Sequence, residues 1–126
     1  MPIVRIESSI PLPPHTSRAA AFDAILELIT RGLGVKPVQV RVAFDELDPA
    51  KVMVTGKTGA DAPPWLVAWT YILEGRPEEQ RAAFVAELLA LLAKLYAVDE
   101  SIIRVLVTDF PSVHWGMGRA TATTKG

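Results

Sequence analysis

The sequence predicts an α/β (α+β) fold in which two tandem β-α-β units form one four-stranded mixed sheet with two helices on one face. Three observations lead to this prediction. Two long segments carry apolar residues at helical spacing, and each is flanked by segments with the apolar patterns of strands. A stretch rich in Gly and Pro separates the two units. The second unit repeats the pattern of the first at an offset of 63–64 residues.

The first unit begins with a predicted strand at 3–9 and continues with a helix at 16–33. Thr16 or Ser17 can cap the start of this helix, and glycines stop it at its far end. Its apolar stripe consists of Phe22, Ile25, Leu26, Ile29 and Leu33. The unit closes with a strand at 38–44, where valines and a phenylalanine alternate with other residues.

The second unit follows a short connection. An extended piece at 52–55 predicts a hairpin or an edge strand, and the stretch at 56–64 predicts a linker. A strand at 65–73, a helix at 77–96 and a strand at 102–108 come next. The helix starts with a proline and two glutamates, which suit the first turn and the positive end of the helix dipole. Its apolar stripe consists of Phe84, Leu88, Leu91, Leu92 and Leu95.

The whole chain, residues 1–126, is predicted to be a single domain of two pseudo-repeats, 1–57 and 64–119, with a short C-terminal tail. That tail is expected either to wrap a neighbouring subunit or to be disordered. Helices cover only one face of such a sheet, and near-continuous apolar strands such as 102–108 would leave the other face apolar. Burial of that face against further copies of the chain predicts an oligomer.

Composition and charge exclude several classes of function. A net charge of −1 and a pI near 6.1 predict neither nucleic acid nor an anionic membrane as a partner. The absence of cysteine excludes a disulfide framework, thiolate chemistry and a Cys-based metal site. No apolar stretch is long enough to span a bilayer, and no signal-peptide pattern is visible, so we expect a cytoplasmic protein.

No cofactor and no metal are predicted. The glycine pair Gly116-x-Gly118 is too short for a dinucleotide fingerprint and does not open a helix, so a hairpin is the better interpretation. The two histidines, His15 and His114, are not accompanied by a third cluster of metal ligands.

Pro2 carries most of the chemical information in this sequence. It stands directly after Met1, and removal of Met1 would turn its nitrogen into a secondary amine. A free α-amino group titrates near pH ~7.7–8.0 in a model peptide, and an apolar pocket lowers that pKa because it disfavours the charged form. Such an amine can act as a general base at neutral pH without any histidine.

Five short motifs stand in a defined order along the chain. The first half contributes the strand that starts with Pro2 and the triplet VRV at 40–42. The second half contributes ILEGR at 72–76, RVLVTD at 104–109 and HWGMG at 114–118. In this order and spacing, the motifs resemble the tautomerase superfamily, most closely a duplicated and fused 4-oxalocrotonate tautomerase. They also resemble its malonate semialdehyde decarboxylase branch.

The resemblance implies a keto–enol tautomerase that acts on a small 2-keto or enol carboxylate, with Pro2 as the general base and acid. It implies Arg76, together with Arg104 or Arg41, as the residues that bind the substrate carboxylate. It implies Trp115 as the aromatic residue that makes the pocket apolar. Homotrimers with pockets between the two halves are a further implication.

The two halves differ at the positions that matter for this chemistry. The counterpart of Arg76 in the first half is Leu12, so only the second half supplies this arginine. The counterpart of Pro2 in the second half is Leu66, which is internal and has no free amine. One half therefore provides the base and the other provides the guanidinium group, which predicts one pocket per chain.

Each predicted substrate-binding residue has a structural alternative. Arg76 follows a strand and precedes a helix, where it can bind a carboxylate bidentately or pair with a neighbouring glutamate at the surface. Arg41 and Arg104 lie within apolar strands, where a charge needs a partner or a pocket, and a subunit contact is the alternative for both. For Trp115 the alternative is packing at a trimer contact.

Two other functions stay open at this point. One is a dehalogenase-, hydratase- or decarboxylase-like reaction on an unsaturated or keto acid. Met117 stands where the resembling dehalogenases carry an acidic residue, and Glu74 replaces one of two paired arginines of the decarboxylase pattern, so both departures count against it. The other is a non-catalytic trimeric scaffold, which a retained Met1 would favour because the Pro2 nitrogen would then be an amide.

Overall fold

The computed structural model of the protein describes residues 1–118 and 120–121. The helices in this part of the chain are α1 (Arg18–Leu33) and α2 (Glu78–Tyr96). The longer strands are β1 (Ile3–Ser8), β2 (Arg41–Glu46), β5 (Leu66–Leu73) and β6 (Ile103–Phe110). Two hairpins are formed by the two-residue strands β3 (Met53–Val54) with β4 (Lys57–Thr58) and β7 (Gly116–Met117) with β8 (Ala120–Thr121).

The four longer strands form one mixed sheet in the order β2-β1-β5-β6. The two strands of each half run parallel, and the halves meet where β1 pairs antiparallel with β5. The helices pack against each other, with the Gln80 side chain donating to the Gly32 carbonyl at 3.0 Å. The predicted four-stranded mixed sheet with two helices on one face is confirmed.

The core lies between the two helices and the sheet. Its fully buried members include Val4 and Ile6 from β1, Ile29 from α1 and Leu88 and Leu92 from α2. Each helix therefore covers its own half of the sheet and contacts the other helix, so neither β-α-β unit buries its apolar surface alone.

The first helix begins as predicted but turns a slightly different face to the core. The Ser17 hydroxyl accepts a hydrogen bond from the Ala20 N–H at 3.0 Å and caps the helix. Phe22, which was predicted in the apolar stripe, is 36% exposed and packs edge-to-face on Phe44 at 4.9 Å. Successive residues of a helix are rotated by about 100° around its axis, so a residue next to the apolar stripe can be at its edge. The apolar spacing therefore predicts the centre of the buried face better than its edges. The buried residues are Ala21, Ile25, Leu28, Ile29 and Leu33.

The predicted strand at 38–44 starts later than expected. Residues Pro37–Gln39 form a 3₁₀ turn, and the Val40 N–H donates to the carbonyl of the turn's proline at 3.1 Å. Proline favours this turn because its φ is fixed and it has no N–H for strand pairing. The strand therefore begins at Arg41, and Val38 is 90% exposed instead of pairing in the sheet.

The two halves repeat their backbone conformation at matching positions. Gly34 after α1 and Ala97 after α2 are both left-handed, with φ of 67° and 55°. Gly118 in the second hairpin and Thr55 in the first are also left-handed, with φ of 68° and 54°. The hairpin predicted at 116–118 is present, and of the two alternatives at 52–55 the hairpin is observed, extending into the predicted linker.

The helix ends give a matched pair of stability predictions. Ala97→Gly should raise the free energy of unfolding by roughly 1 kcal/mol, because glycine removes the steric cost of the left-handed conformation. Gly34→Ala should lower it by a similar amount, since an added Cβ there meets no atom within 4 Å and changes only the backbone preference. Urea denaturation measures both values.

A third variant controls for the general effect of glycine in this pair. Ala82 is exposed within α2, and Ala82→Gly should be destabilising by about 1 kcal/mol. If Ala97→Gly destabilised the protein as Ala82→Gly does, the left-handed helix end would be contradicted.

The sheet face that points away from the helices is less apolar than predicted. Alternation along β6 turns its valines toward the core and leaves Leu106 outward, 41% exposed. Polar residues occupy much of the rest of this face. The Trp69 indole N–H donates to the Glu7 carboxylate at 2.7 Å, and Arg5 forms an ion pair with the same carboxylate at 3.2 Å. The apolar run at 102–108 is divided between two faces, which is why the sequence overstated the apolar character of one.

None of the helices among residues 1–118 combines the length and the apolar character that a membrane crossing requires. The predicted C-terminal tail lies outside the described residues, apart from the backbone of Ala120–Thr121.

Candidate active site

The sheet end at which β1 begins opens into a cavity of about 440 Å³, here called the terminus cavity. Its walls come from the start of the chain, the turn before β2 and the β7–β8 hairpin. The lining residues are Met1, Ile3, Val38, Gln39, Arg41, Trp115, Gly116, Met117 and Gly118. Residues from both halves of the chain therefore meet at this cavity.

Pro2 is fixed at the floor of this sheet end. It is fully buried, and its carbonyl accepts a hydrogen bond from the Arg41 N–H at 3.1 Å. Met1 precedes it here, so the Pro2 nitrogen is an amide and the free amine belongs to Met1, which lines the cavity. Burial lowers the pKa of the Met1 amino group, and the positive charge of Arg76 lowers this pKa further.

Arg41 supplies a guanidinium group at the cavity wall. It is the first residue of β2, and its register partner in β1 is Ile3, the residue after Pro2. Within the described residues, its side chain forms neither an ion pair nor a hydrogen bond. A guanidinium group with all its donors free can bind a carboxylate bidentately.

Arg76 lies in the loop between β5 and α2, close to the same sheet end but not among the residues that line the terminus cavity. Its Nε donates to the Leu33 carbonyl at 3.2 Å and its Nη1 donates to the Leu73 carbonyl at 3.3 Å. The first bond satisfies a carbonyl at the C-terminal end of α1, where a cation is favourable. Burial lowers the pKa of the Arg76 guanidinium, and the negative charge of Asp109 opposes this shift.

Asp109 is a residue of this region that sequence analysis did not assign to the site. Its carboxylate accepts a hydrogen bond from Arg81 Nη1 at 2.7 Å, in an ion pair whose side chains are only about one third exposed. This pair ties the start of α2 to the end of β6. The motif at 104–109 included this aspartate, but its spacing to Arg81 gives no sign of the contact.

Trp115 lines the terminus cavity and also a neighbouring cavity of about 300 Å³. Its ring packs edge-to-face on Phe110 at 5.8 Å, and Phe110 in turn lies 6.0 Å from Tyr71. These three rings line the neighbouring cavity, and of them only Trp115 also lines the terminus cavity. The sequence identified only Trp115. Tyr71 lies within β5 and Phe110 ends β6, and in the sequence both are indistinguishable from core residues.

Arg104 is not brought together with Pro2 within one chain. It pairs in register with Val67, at the end of the sheet opposite to the terminus cavity. There it lines a separate cavity of about 380 Å³, and its Nη1 donates to the carbonyls of Ser101 and Ile103 at 2.9 and 3.0 Å.

The predicted arginines share a further property. In the part of the chain that the structure describes, four arginines form ion pairs with carboxylates: Arg5, Arg18, Arg31 and Arg81. The remaining three in that part are Arg41, Arg76 and Arg104, the residues that sequence analysis selected as anion ligands. An arginine that binds a substrate carboxylate must not already be paired with a carboxylate of the protein.

The chemistry available at the terminus cavity follows from these groups. An amine with a lowered pKa is neutral over more of the physiological pH range and can accept a proton. Arg41 offers charge and directed donors for an anion, and Trp115 adds an apolar surface. Among the described residues, no group of three or more His, Cys, Asp or Glu side chains is placed to hold a metal ion.

Comparisons with known proteins point to one family. The family model described as "Tautomerase enzyme" matches residues 70–123. The chain is 32% identical over 60 residues to a 2-hydroxymuconate tautomerase of Stutzerimonas stutzeri. That alignment spans 95% of the relative but 48% of this chain, so this chain is about twice as long as the relative.

Solved structures match over the whole length. A protein called Pt0534, solved after inactivation by 2-oxo-3-pentynoate, is 26% identical and superposes with a TM-score of 0.87 over 98% of both chains. A fused 4-OT solved as an asymmetric trimer is 25% identical and superposes with a TM-score of 0.81, again over 98% of both chains.

Proposed function

Because this chain belongs to the tautomerase superfamily and resembles its fused 4-OT proteins, we propose that it catalyses keto–enol tautomerisation of a small 2-keto or enol carboxylate with the Pro2 amine as proton carrier. The isomerase class of the reaction follows from the family. What we propose beyond the family is the proton carrier, the residues that bind the substrate carboxylate, and the substrate class.

In the proposed reaction, Met1 is removed and the neutral Pro2 nitrogen accepts the proton of the enol hydroxyl. The electron pair of the broken O–H bond forms the carbonyl, and the carbon–carbon double bond shifts its electrons to the carbon that takes a proton. The Pro2 ammonium returns its proton to that carbon, so atoms and charge balance over the cycle. One amine can serve both transfers if the two acceptor positions of the substrate lie close together.

The proposal rests on one observation above all: the chain's free amine lies in a cavity, and its pKa is lowered there. Burial and the Arg76 charge both favour the neutral amine at this sheet end. The Arg76 charge would act on a Pro2 amine as well, since Pro2 is the neighbour of Met1 at the same sheet end. A base that is neutral at the working pH is what the first proton transfer needs.

Arg41 and Arg76 have the proposed role of holding the substrate carboxylate. Arg41 is the better placed of the two, because it lines the terminus cavity and has no other partner among the described residues. Arg76 acts mainly through its charge, since two of its donors are occupied by carbonyls. Trp115 has the proposed role of an apolar wall that keeps the amine neutral.

The test is ketonisation of phenylenolpyruvate, followed by ultraviolet absorbance, after intact mass has established that Met1 is absent. We expect a rate well above the uncatalysed reaction for the processed chain. A processed chain that binds the enol without accelerating its ketonisation would support a scaffold instead.

The alternative hydrolytic reactions receive no support from the cavity. A dehalogenase- or hydratase-like reaction needs a carboxylate that activates water, and none of the described residues that line the terminus cavity is acidic. We therefore keep the tautomerase proposal as the single one. We also retain the single-domain organisation of two pseudo-repeats and a cytoplasmic location as proposals.

A homotrimer is the proposed assembly, because a fused 4-OT of the same architecture was solved as a trimer. Among residues 1–118 and 120–121, no strand pairs with the outer edge of β2 or of β6, so these edges are open to neighbouring copies. Light scattering should give three times the mass of a 13.7 kDa chain. A monomeric mass at micromolar concentration would contradict this assembly.

A further inference from the structure

We propose that the cavity around Arg104, at the sheet end opposite to the terminus cavity, is a second binding site that holds a small apolar monocarboxylate without transforming it. This cavity of about 380 Å³ lies between β5, the start of β6 and the β3–β4 hairpin. Its arginine and strands belong to the second half of the chain and its hairpin belongs to the first. The cavity has no part in the proposed reaction. Only the choice of ligand class rests on the proposed function.

The backbone builds this site in the same way as the terminus cavity. Arg104 pairs with Val67 in β5 as Arg41 pairs with Ile3 in β1, so the two arginines occupy equivalent positions in the sheet. The hairpin over each site carries a left-handed residue at the matching position, Thr55 in one half and Gly118 in the other. A β-branched residue such as Thr55 rarely adopts the left-handed conformation. Because Thr55 nevertheless adopts it, the two hairpins have the same backbone conformation at this position.

The charge at this second site is unopposed. Among the described residues, Arg104 forms no ion pair, and only its Nη1 is hydrogen-bonded, to two carbonyls. Its Nε and Nη2 donors are left for a ligand. None of the described residues that line the cavity is acidic, so the charge favours an anion.

The cavity also contains a donor with no acceptor. Trp65 is one of its lining residues, and its buried indole Nε1 has no hydrogen-bond partner in the part of the chain that the structure describes. A buried polar group without a partner is unfavourable, and an acceptor oxygen of a ligand would relieve this cost. Guanidinium and indole donors together fit a carboxylate, and Pro63, Pro64 and Ile102 fit a short apolar body.

The site lacks the group that would make it catalytic. Leu66 stands in the place of Pro2, and its nitrogen is a peptide amide because Trp65 precedes it. A peptide nitrogen has no basicity, so a ligand bound there is held and released unchanged. The chain therefore combines one site that transfers a proton with a second site that only binds its ligand.

Titration with trans-cinnamate, a carboxylate that has no enol form, tests the proposal by NMR of the three tryptophan indole N–H signals. Trp65→Phe assigns the Trp65 signal by its disappearance. We expect a saturable shift of this signal in the wild type. Arg104→Gln should weaken the Kd read from it by about ten- to hundredfold, the range for a lost charged hydrogen bond. Lys57→Gln, an exposed charge removed from the nearby hairpin, should leave that Kd unchanged.

Three results would overturn the proposal. The Trp65 signal could fail to respond, it could shift without saturation, or it could respond equally in the Arg104→Gln and Lys57→Gln proteins. A loss of tautomerase activity in Arg104→Gln with a silent Trp65 signal would assign Arg104 to a neighbouring chain's catalytic site instead. Because the signal is independent of turnover, an inactive wild-type protein would contradict the proposed function and leave this result standing.

Discussion

A chain with one extra residue retained before Pro2 should lose tautomerase activity by about 10²- to 10⁴-fold in kcat/KM, the range that general acid–base catalysis contributes. The extra residue converts the Pro2 nitrogen into an amide, which can neither accept nor return a proton. Pro2→Ala should lose activity too, because a primary amine on a freely rotating backbone is less well oriented than the pyrrolidine nitrogen. Phenylenolpyruvate ketonisation measures both losses, with intact mass confirming each N-terminus.

The matched control for this prediction is Pro14→Ala. Pro14 is exposed in the turn before α1 and is not among the described residues that line the terminus cavity. Its replacement should leave kcat/KM within about twofold of the wild type, as is usual for surface substitutions. Equal activity of the wild-type and extended chains would rule out the Pro2 amine as the proton carrier.

Arg41→Ala should lower kcat/KM for phenylenolpyruvate by about ten- to hundredfold, because the variant removes a charged hydrogen-bond donor that lines the cavity. The loss should fall mainly on KM if Arg41 binds the substrate and the transition state equally. Steady-state kinetics on the same absorbance assay separate the two parameters.

Arg18→Ala is the control for removal of an arginine. Arg18 forms an exposed ion pair with Glu46 at 2.7 Å, and exposed pairs of this kind contribute little to stability. Its replacement should leave kinetics and stability nearly unchanged. If Arg41→Ala behaved like Arg18→Ala, Arg41 would have no part in substrate binding, and a subunit contact would be its remaining role.

The architecture could be predicted from the sequence because its signals are local and repeated. Alternating valines, helical stripes and Gly- or Pro-rich turns each report the conformation of a few neighbouring residues, and the 63-residue repeat doubled every signal. Errors arose where two conformations suit one pattern. The valine at position 38 fits a strand as well as the 3₁₀ turn that the structure has, and Pro37 decides between them.

The candidate site could be predicted only in part, because it depends on contacts across the sheet. Pro2 and Trp115 were found through their residue types and their motifs. Strand register places Arg41 beside Pro2 and Arg104 at the opposite end of the sheet. This register follows from the parallel pairing within each half. The predicted β-α-β units imply such pairing, but the positions of the arginines were not inferred from it. The aromatic partners of Trp115 and the link between Asp109 and Arg81 have no local signal at all.

The central claim is that a neutral imino nitrogen at Pro2 is the base, and ¹⁵N NMR of that nitrogen against pH in ¹⁵N-proline-labelled, processed protein tests it most directly. We expect a pKa below the ordinary amine range of ~7.7–8.0, in agreement with the acidic limb of the kcat/KM profile. We also expect a higher pKa in Arg76→Ala, because a positive charge that lowers the pKa is removed. A nitrogen that does not titrate, or one whose pKa lies at or above that range, would contradict the account.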